Sequence, residues 1–490
     1  MRQVTQDTNA NGVRAELCFA TARELAERVR RREVSVREVV RAHLEQIERV
    51  DPQVNAVVTV TPERALAAAA AADELLVAGH EPGPLFGLPI AHKDTHLTAG
   101  IRTTFGSQSM RDFVPDNDEL IVERIRAAGA ITIGKTNVPE FGAGSHTFNT
   151  IFGATRNPYD LARSAGGSSG GAAAALATGM HAIADGSDMG GSLRNPAAFC
   201  NVVGLRPSPG RVPSHPAGAA WATMAVQGPM ARTVSDTALL LSVIGGPDPR
   251  SPISLPEPAE VFARPLERDL RGLRVAWSPD LGGSVPVDPV VTATLLPQVA
   301  MFESLGCVVE EACPDFTGAD EVFRTLRAWQ FELMLGTLAD TEGNSLKPSL
   351  MWNIEQGRRL RGPDIAAAEV ARTALYHRFR EFFQRYDILL LPVSQVPPFD
   401  VDLEYPGEIA GVPQDTYLDW MRSAYYVSVS GHPALSVPGG FTADGLPVGL
   451  QIVGPHHGDL DVLRVGYAFE QATRFGQRRP DILTTGVAHV

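Results

Sequence analysis

The sequence predicts an α/β protein built on a large, twisted, mixed and mostly parallel central sheet, covered by helices on both faces. Two observations predict this class. Strand-like and helix-like segments alternate along almost the whole chain, and the late strand segments are apolar right through, as strands buried on both faces are. The 490 residues are 44% apolar and 20% charged, enough to bury a sizeable core.

The elements follow in order. Residues 1–16 read as a mobile tail, and 17–475 as a single domain. Thr21 with Glu24, and Ser35 with Glu38, have capping-box spacing ahead of helical periodicity (Leu25 and Val29, then Val39, Val40, Leu44 and Ile47). Val54 to Val60 is a short β-rich run, and Thr61-Pro62 opens a third helix with proline in its first turn. Leu88 to Ala91 is a strand running into Lys93, Leu120 to Ala128 a helix and Ala130 to Ile133 the next strand. Residues 137–170 form a long stretch rich in Gly, Asn, Ser and Thr, of the kind that usually carries function. Ala172 to Ala177 begins a helix, His181 to Ala184 is a strand, and Thr233 to Ile244 is a helix stopped by Gly245-Gly246.

A proline-rich connection from Pro247 to about Leu266 follows a catalytic core of about 75–246. Strand signals resume at Leu273 to Trp277, Cys307 to Val309, Ile388 to Leu391, Ala434 to Val437 and Val448 to Val453. Helices at about 288–305, 319–337, 364–384 and 460–473 separate some of them, and one sheet spanning both halves is expected. Residues 476–490 read as a C-terminal tail.

Bulk properties narrow the function. The net charge of -13 argues against a nucleic-acid backbone as partner, because phosphate binding needs clustered Lys and Arg. The four cysteines show no metal-ligand spacing and fit reduced, buried thiols. No secretory signal, transmembrane stretch, metal site or cofactor fingerprint is found, so the expectation is a cytoplasmic protein with no membrane partner and no cofactor. A homodimer is compatible with the chain, without an interface signal of its own.

Three segments carry chemistry. In Asp188-Met189-Gly190-Gly191-Ser192-Leu193-Arg194, backbone N–H groups unencumbered by side chains can converge on one anionic oxygen beside Ser192. In Gly166-Gly167-Ser168-Ser169-Gly170-Gly171, Ser168 sits in a Gly-x-Ser-x-Gly pattern. That pattern also fits a nucleophile elbow with a downstream histidine (His377, His432, His456 or His457). In Gly87-Leu88-Pro89-Ile90-Ala91-His92-Lys93-Asp94, Lys93 ends an apolar strand, where desolvation favours the neutral amine and hence a base. A hydroxyl in each loop plus this lysine is enough to activate a serine without histidine.

Together these segments resemble the amidase signature family. So do Gly134-Lys135-Thr136-Asn137-Val138-Pro139-Glu140-Phe141, Phe152-Gly153-Ala154-Thr155-Arg156-Asn157-Pro158 and Gly228-Pro229-Met230-Ala231-Arg232-Thr233. Gly431-His432-Pro433-Ala434 and Gly445-Leu446-Pro447-Val448-Gly449-Leu450-Gln451 are similar to the family's late strands, so the resemblance runs from about Leu25 to about Thr473. One departure is Ser187, where the family often has Thr; a hydroxyl is retained.

The resemblance implies a Ser–cis-Ser–Lys triad of Ser192, Ser168 and Lys93. Ser192 attacks the carbonyl carbon of a small-molecule amide or carbamate, and Ser168 relays its proton to Lys93 and returns it to the leaving nitrogen. The N–H groups of Met189, Gly190, Gly191 and Ser192 hold the oxyanion, and Asp188 with Arg194 supports the loop. Gly142 lines the substrate cleft, with Phe141 and Phe148 beside it. The variable parts supply the pocket: the 137–150 loop, the 213–226 stretch with Trp221, and an insert of about 320–425 carrying Trp329, Phe331, Trp352, Tyr417, Trp420, Tyr425 and Tyr426. An aromatic-lined cleft suits aryl amides or carbamates. The alternatives are the glutaminase subunit of a tRNA-dependent amidotransferase, from the same family, and a Ser-His-Asp esterase acting through Ser168.

Overall fold

The computed structural model describes residues 16–484, so the first fifteen residues of the N-terminal tail and the last six of the C-terminal one lie outside the described chain. Both early helices begin as their spacing predicts. Thr21 and Ser35 accept from the backbone of Glu24 and Glu38, whose carboxylates reach back to close the boxes. These bonds satisfy donors that a helix start leaves orphaned.

Two sheets form the centre. The small one orders β1 (Val57–Val60), β3 (Ile131–Thr136) and β2 (Pro89–Lys93), with β3 in the middle. The large one uses β4 (Ile183–Asp188), β5 (Val203–Arg206), β6 (Val226–Ala231), β7 (Arg274–Trp277), β8 (Val308–Glu311), β9 (Ile388–Pro392), β10 (Ala434–Phe441) and β11 (Pro447–Val453). Its order is β8–β7–β9–β11–β10–β5–β6–β4. Strands β9 and β11 are buried along their whole length, so helices do cover both faces.

The sheet is mixed, but the parallel majority expected from the sequence is not found. Only β7–β8 and β7–β9 run parallel; the other five pairings are antiparallel. Burial on both faces makes a strand apolar whichever way its neighbour runs. Direction is decided by the connection instead: the short link between β10 and β11 allows only an antiparallel hairpin, whereas a parallel return needs a long crossover. Strands β5 and β6 carry Gly, Pro and Arg and give no strand signal of their own.

The large sheet spans both halves of the chain, as expected, and the three-stranded sheet lies beside it. Strand β2 lies beside β4 and runs the same way, with Ala182 N–H reaching Pro89 O at 3.4 Å. At the other end the Lys93 amide donates to the Asp185 carboxylate at 2.8 Å, so a side chain replaces a ladder bond. This seam puts the carboxyl ends of β2 and β4 together.

The boundary placed at 476 does not mark an end of packing. Arg478 lies 4.0 Å over the Phe441 ring and Arg479 4.1 Å over Phe19, so 476–484 dock on the domain. Among the described residues no helix is long and apolar enough to cross a membrane.

Candidate active site

The seam between the sheets builds the site. Lys93 ends β2, and the Asp188–Ser192 loop leaves the end of β4. The Gly166–Ser169 turn leads into the helix Gly170–Ala177, which is buried throughout. That helix can start there only because its first residues lack side chains. A Cβ on Gly170 would meet Thr147 Oγ1 at 2.3 Å, and one on Gly171 the Asn137 nitrogen at 2.4 Å. The Ser169 amide donates to Ser192 O at 3.2 Å and ties the two serine loops together.

Lys93 is fully buried, and its Nζ donates to three hydroxyls: Ser168 at 2.8 Å, Ser169 at 2.9 Å and Ser187 at 3.0 Å. No carboxylate lies within ion-pair distance of it among the described residues. Burial drives its pKa down to about 7, against the opposing fields of Asp188, Asp185 and Glu119. The Gly167–Ser168 peptide is cis. Ser168 is 2% exposed and Ser192 9%, and Ser192 Oγ has no hydrogen-bond partner among the described residues. Lys93 and Ser168 are thus in direct contact, and Ser192 is held beside them by the loop bond.

The Asp188–Ser192 loop is braced by the Asp188 side chain. Its carboxylate accepts from the amides of Gly191 (3.0 Å) and Leu193 (3.2 Å) and from Arg194 Nε (3.0 Å) and Nη2 (2.9 Å). Burial alone would raise the Asp188 pKa, but the Arg194 and Arg206 guanidiniums hold it well below the usual carboxylate range. The expected set of four amide donors is therefore narrowed, because Gly191 N–H is committed to Asp188. Gly191 has φ +105°, and a Cβ there would meet Ala424 Cβ at 2.6 Å, so glycine is required for this turn.

Several site residues were not singled out in the sequence. Arg206 lies on β5 and donates to the Asp188 carbonyl at 2.5 Å and its carboxylate at 3.2 Å. Gln451 and Ser428 accept from Arg194 at 2.5 and 2.7 Å. Ser169 was visible only as the hydroxyl next to Ser168. Nothing local marks Arg206 or Ser428, because they converge from strands and helices far along the chain.

Of the expected cleft residues, Gly142 is beside the serines: a Cβ there would lie 3.5 Å from Ser168 Oγ. Phe141 stacks on Phe105 at 5.8 Å and packs with Met189 against the buried cluster of Phe331 and Leu335. Phe148 lies under Lys347, whose Nζ is 5.0 Å from the ring. The insert aromatics divide. Trp420 stacks on Phe199 and is 1% exposed, and Tyr425 stacks on Phe323 at 3.9 Å; both belong to the core, where apolar burial alone explains them. Trp329 and Trp221 instead line one recess.

The histidines considered as partners of Ser168 lie elsewhere. His432 packs among Phe379, Phe383 and Tyr376, His377 stands beside Tyr376, and His456 and His457 stack on each other at 3.8 Å. Ser168 has Lys93 where an elbow serine would need imidazole.

Comparison with known proteins gives the family. The sequence model of the family described as Amidase matches residues 38–463. The chain is 36% identical to an acylamidase of Rhodococcus erythropolis, over 95% of this chain and 98% of that one. It is 38% identical to one subunit of the glutamyl-tRNA(Gln) amidotransferase of Geobacillus kaustophilus, over 93% and 98%. A solved bacterial aryl acylamidase of the amidase signature family superposes with a TM-score of 0.88 at 31% identity, covering 95% of this chain and 98% of that one.

Proposed function

Because the chain belongs to the amidase signature family and is therefore a hydrolase of amide C–N bonds, we propose that it cleaves aryl amides or carbamates through an acyl- or carbamoyl-enzyme on Ser192. The observation that carries this is the buried Lys93 ammonium site facing three serine hydroxyls and no carboxylate. A lysine held near pKa 7 is available as a free base at neutral pH.

In the first half-reaction the neutral Lys93 takes the proton of Ser168 as Ser168 takes that of Ser192. The Ser192 Oγ–C bond forms, and the carbonyl oxygen becomes an oxyanion. The amides of Met189, Gly190 and Ser192 receive that charge; losing one such donor typically costs about 2.7–4 kcal/mol in the barrier. Collapse breaks the C–N bond of an amide to leave the acyl-enzyme, or the C–O bond of a carbamate to leave the carbamoyl-enzyme, and Ser168 hands its proton to the departing nitrogen or oxygen while Lys93 restores it. Water then attacks the acyl or carbamoyl carbon by the same relay, releases the acid and frees Ser192. Asp188, Arg194 and Arg206 act by fixing the loop, and Gly142 offers its backbone to the cleft.

The test is peptide mapping by mass spectrometry after incubation with an activated aryl carbamate. An adduct on Ser192 is expected; an adduct on Ser168 overturns the assignment and revives the elbow reading.

A second reading, a glutaminase subunit, has its own observation. Arg327 is 4% exposed and has no carboxylate partner among the described residues; it contacts Tyr417 at 3.0 Å, Asn353 at 3.0 Å and Met189 Sδ at 3.2 Å. Such a cation beside the oxyanion loop would suit an amino-acid carboxylate. Glutamine turnover only in the presence of added partner subunits would favour it, and anilide turnover by the chain alone would exclude it.

A further inference from the structure

A cleft of about 330 Å³ opens where Ser187 and Met189 reach the surface, between the 212–226 loop and the helix Ala319–Glu342. Its inner end begins at Ser187, whose Oγ is 3.0 Å from Lys93 Nζ. Glu119 stands there, with Gln227 donating to it. Gln227 and Gln330 are 7% and 6% exposed, and the side-chain oxygen of each is buried without a donor among the described residues. A buried acceptor left unsatisfied is unfavourable, so two in one cleft mark a place for N–H groups.

The outer end changes character. Leu333 and Met334 are exposed apolar side chains, and the cleft runs on into a recess of about 420 Å³ that holds Trp329 and Trp221, the latter 77% exposed. An exposed tryptophan beside a half-buried one is an apolar surface with nothing on it.

The reaction decides which part of a substrate reaches this cleft. The scissile nitrogen must receive its proton from Ser168, whose store is Lys93, and the cleft starts one hydroxyl beyond Lys93. We propose that this cleft is the leaving-amine site. It gives the N–H groups of the departing amine to Glu119, Gln227 and Gln330, and rests a bulky aryl body on Trp329 and Trp221. This rests on the Ser192 acyl-enzyme reading above and adds the residues that select the amine rather than the acyl group.

Two substrate series test it: one acyl group carrying ammonia, propylamine, aniline or naphthylamine, and anilides with acetyl, butyryl or benzoyl groups. Trp329→Ala is expected to lower the kcat/KM ratio of anilide to propylamide at least about tenfold, and Gln330→Leu to lower kcat/KM for both amines by a similar factor, as loss of pocket contacts does. Free aniline should inhibit competitively, and both variants should weaken that inhibition by a similar factor. Preference within the acyl series should stay within about twofold. Trp221→Ala, at an exposed position, provides a folded variant in which a smaller shift of the same sign is expected. An altered acyl preference with the amine preference intact overturns the proposal, as does an unchanged ratio in both tryptophan variants. Binding of aniline to the resting protein, measured by calorimetry, separates the two layers. A missing Ser192 adduct with aniline still bound and Gln330-dependent defeats the acyl-enzyme reading alone.

Discussion

Lys93 and Lys135 end neighbouring parallel strands, both are completely buried, and burial lowers both, to about 7 and about 8. They have opposite neighbourhoods. In the β2–β3 register Lys93 pairs with Thr136 and Lys135 with His92, so the two side chains leave on opposite faces. Lys135 donates to the His96 carbonyl at 2.5 Å, Thr98 at 2.8 Å and Thr103 at 3.1 Å, closing a loop packed behind the sheet. Lys93 donates to hydroxyls on the Gly166–Ser169 turn and at the end of β4. Desolvation is therefore the same in kind, and what separates the two lysines is where their acceptors lead: the Thr98 and Thr103 hydroxyls donate on to the His96 and Ile101 carbonyls, whereas Ser168 stands next to Ser169, whose amide is bonded to Ser192.

The sharpest way to break this comparison is to remove each amine. Lys93→Met is expected to lower kcat about 10³-fold or more, the effect of losing a general base with its relay. Lys135→Met should cost less than about tenfold in kcat per folded molecule, with the loss appearing instead as a lower unfolding temperature. Steady-state kinetics on protein checked by circular dichroism decides; equal kinetic losses would mean that Lys135 also serves the reaction.

The pH profile sharpens the same contrast. Below about pH 7 Lys93 is an ammonium and cannot accept a proton, so kcat/KM should rise with pH through about 7 and then level off. The field of Lys135 is not among those that set the Lys93 value, so Lys135→Met should leave the midpoint within about half a unit. A midpoint near the ordinary lysine value would show that Lys93 is not desolvated as described.

A smaller effect than at Lys93 is expected at Gly142→Ala. Its φ of +68° and a Cβ at 3.5 Å from Ser168 Oγ predict a strain of about 1–2 kcal/mol on a non-glycine residue. A drop in kcat/KM of about tenfold should follow, whereas the Lys135 side of the sheet should be unaffected. No change would place Gly142 outside the working cleft.

The legible part of the site is local. Glycines around Ser168 and Ser192, a lysine ending an apolar strand, and two capping boxes are each written within a few residues, and the structure brings the loops and the strand end together. The illegible part is what arrives from far away. Arg206 and Gln451 brace Asp188 and Arg194 from other strands, and no spacing relates them to the loop they hold. The aromatic insert shows the same limit: Trp329 and Trp420 read alike, yet one lines a recess and the other is core.

By itself, then, the sequence determined the chemistry-bearing loops, the helix starts and the buried strands, because those depend on backbone freedom, capping and apolar runs within one segment. Tertiary structure alone decided the direction of β9 against β11, the break between the two sheets at Asp185 and the cleft beyond Ser187. Those depend on how segments distant in the chain meet, and an apolar strand looks the same whichever neighbour it finds.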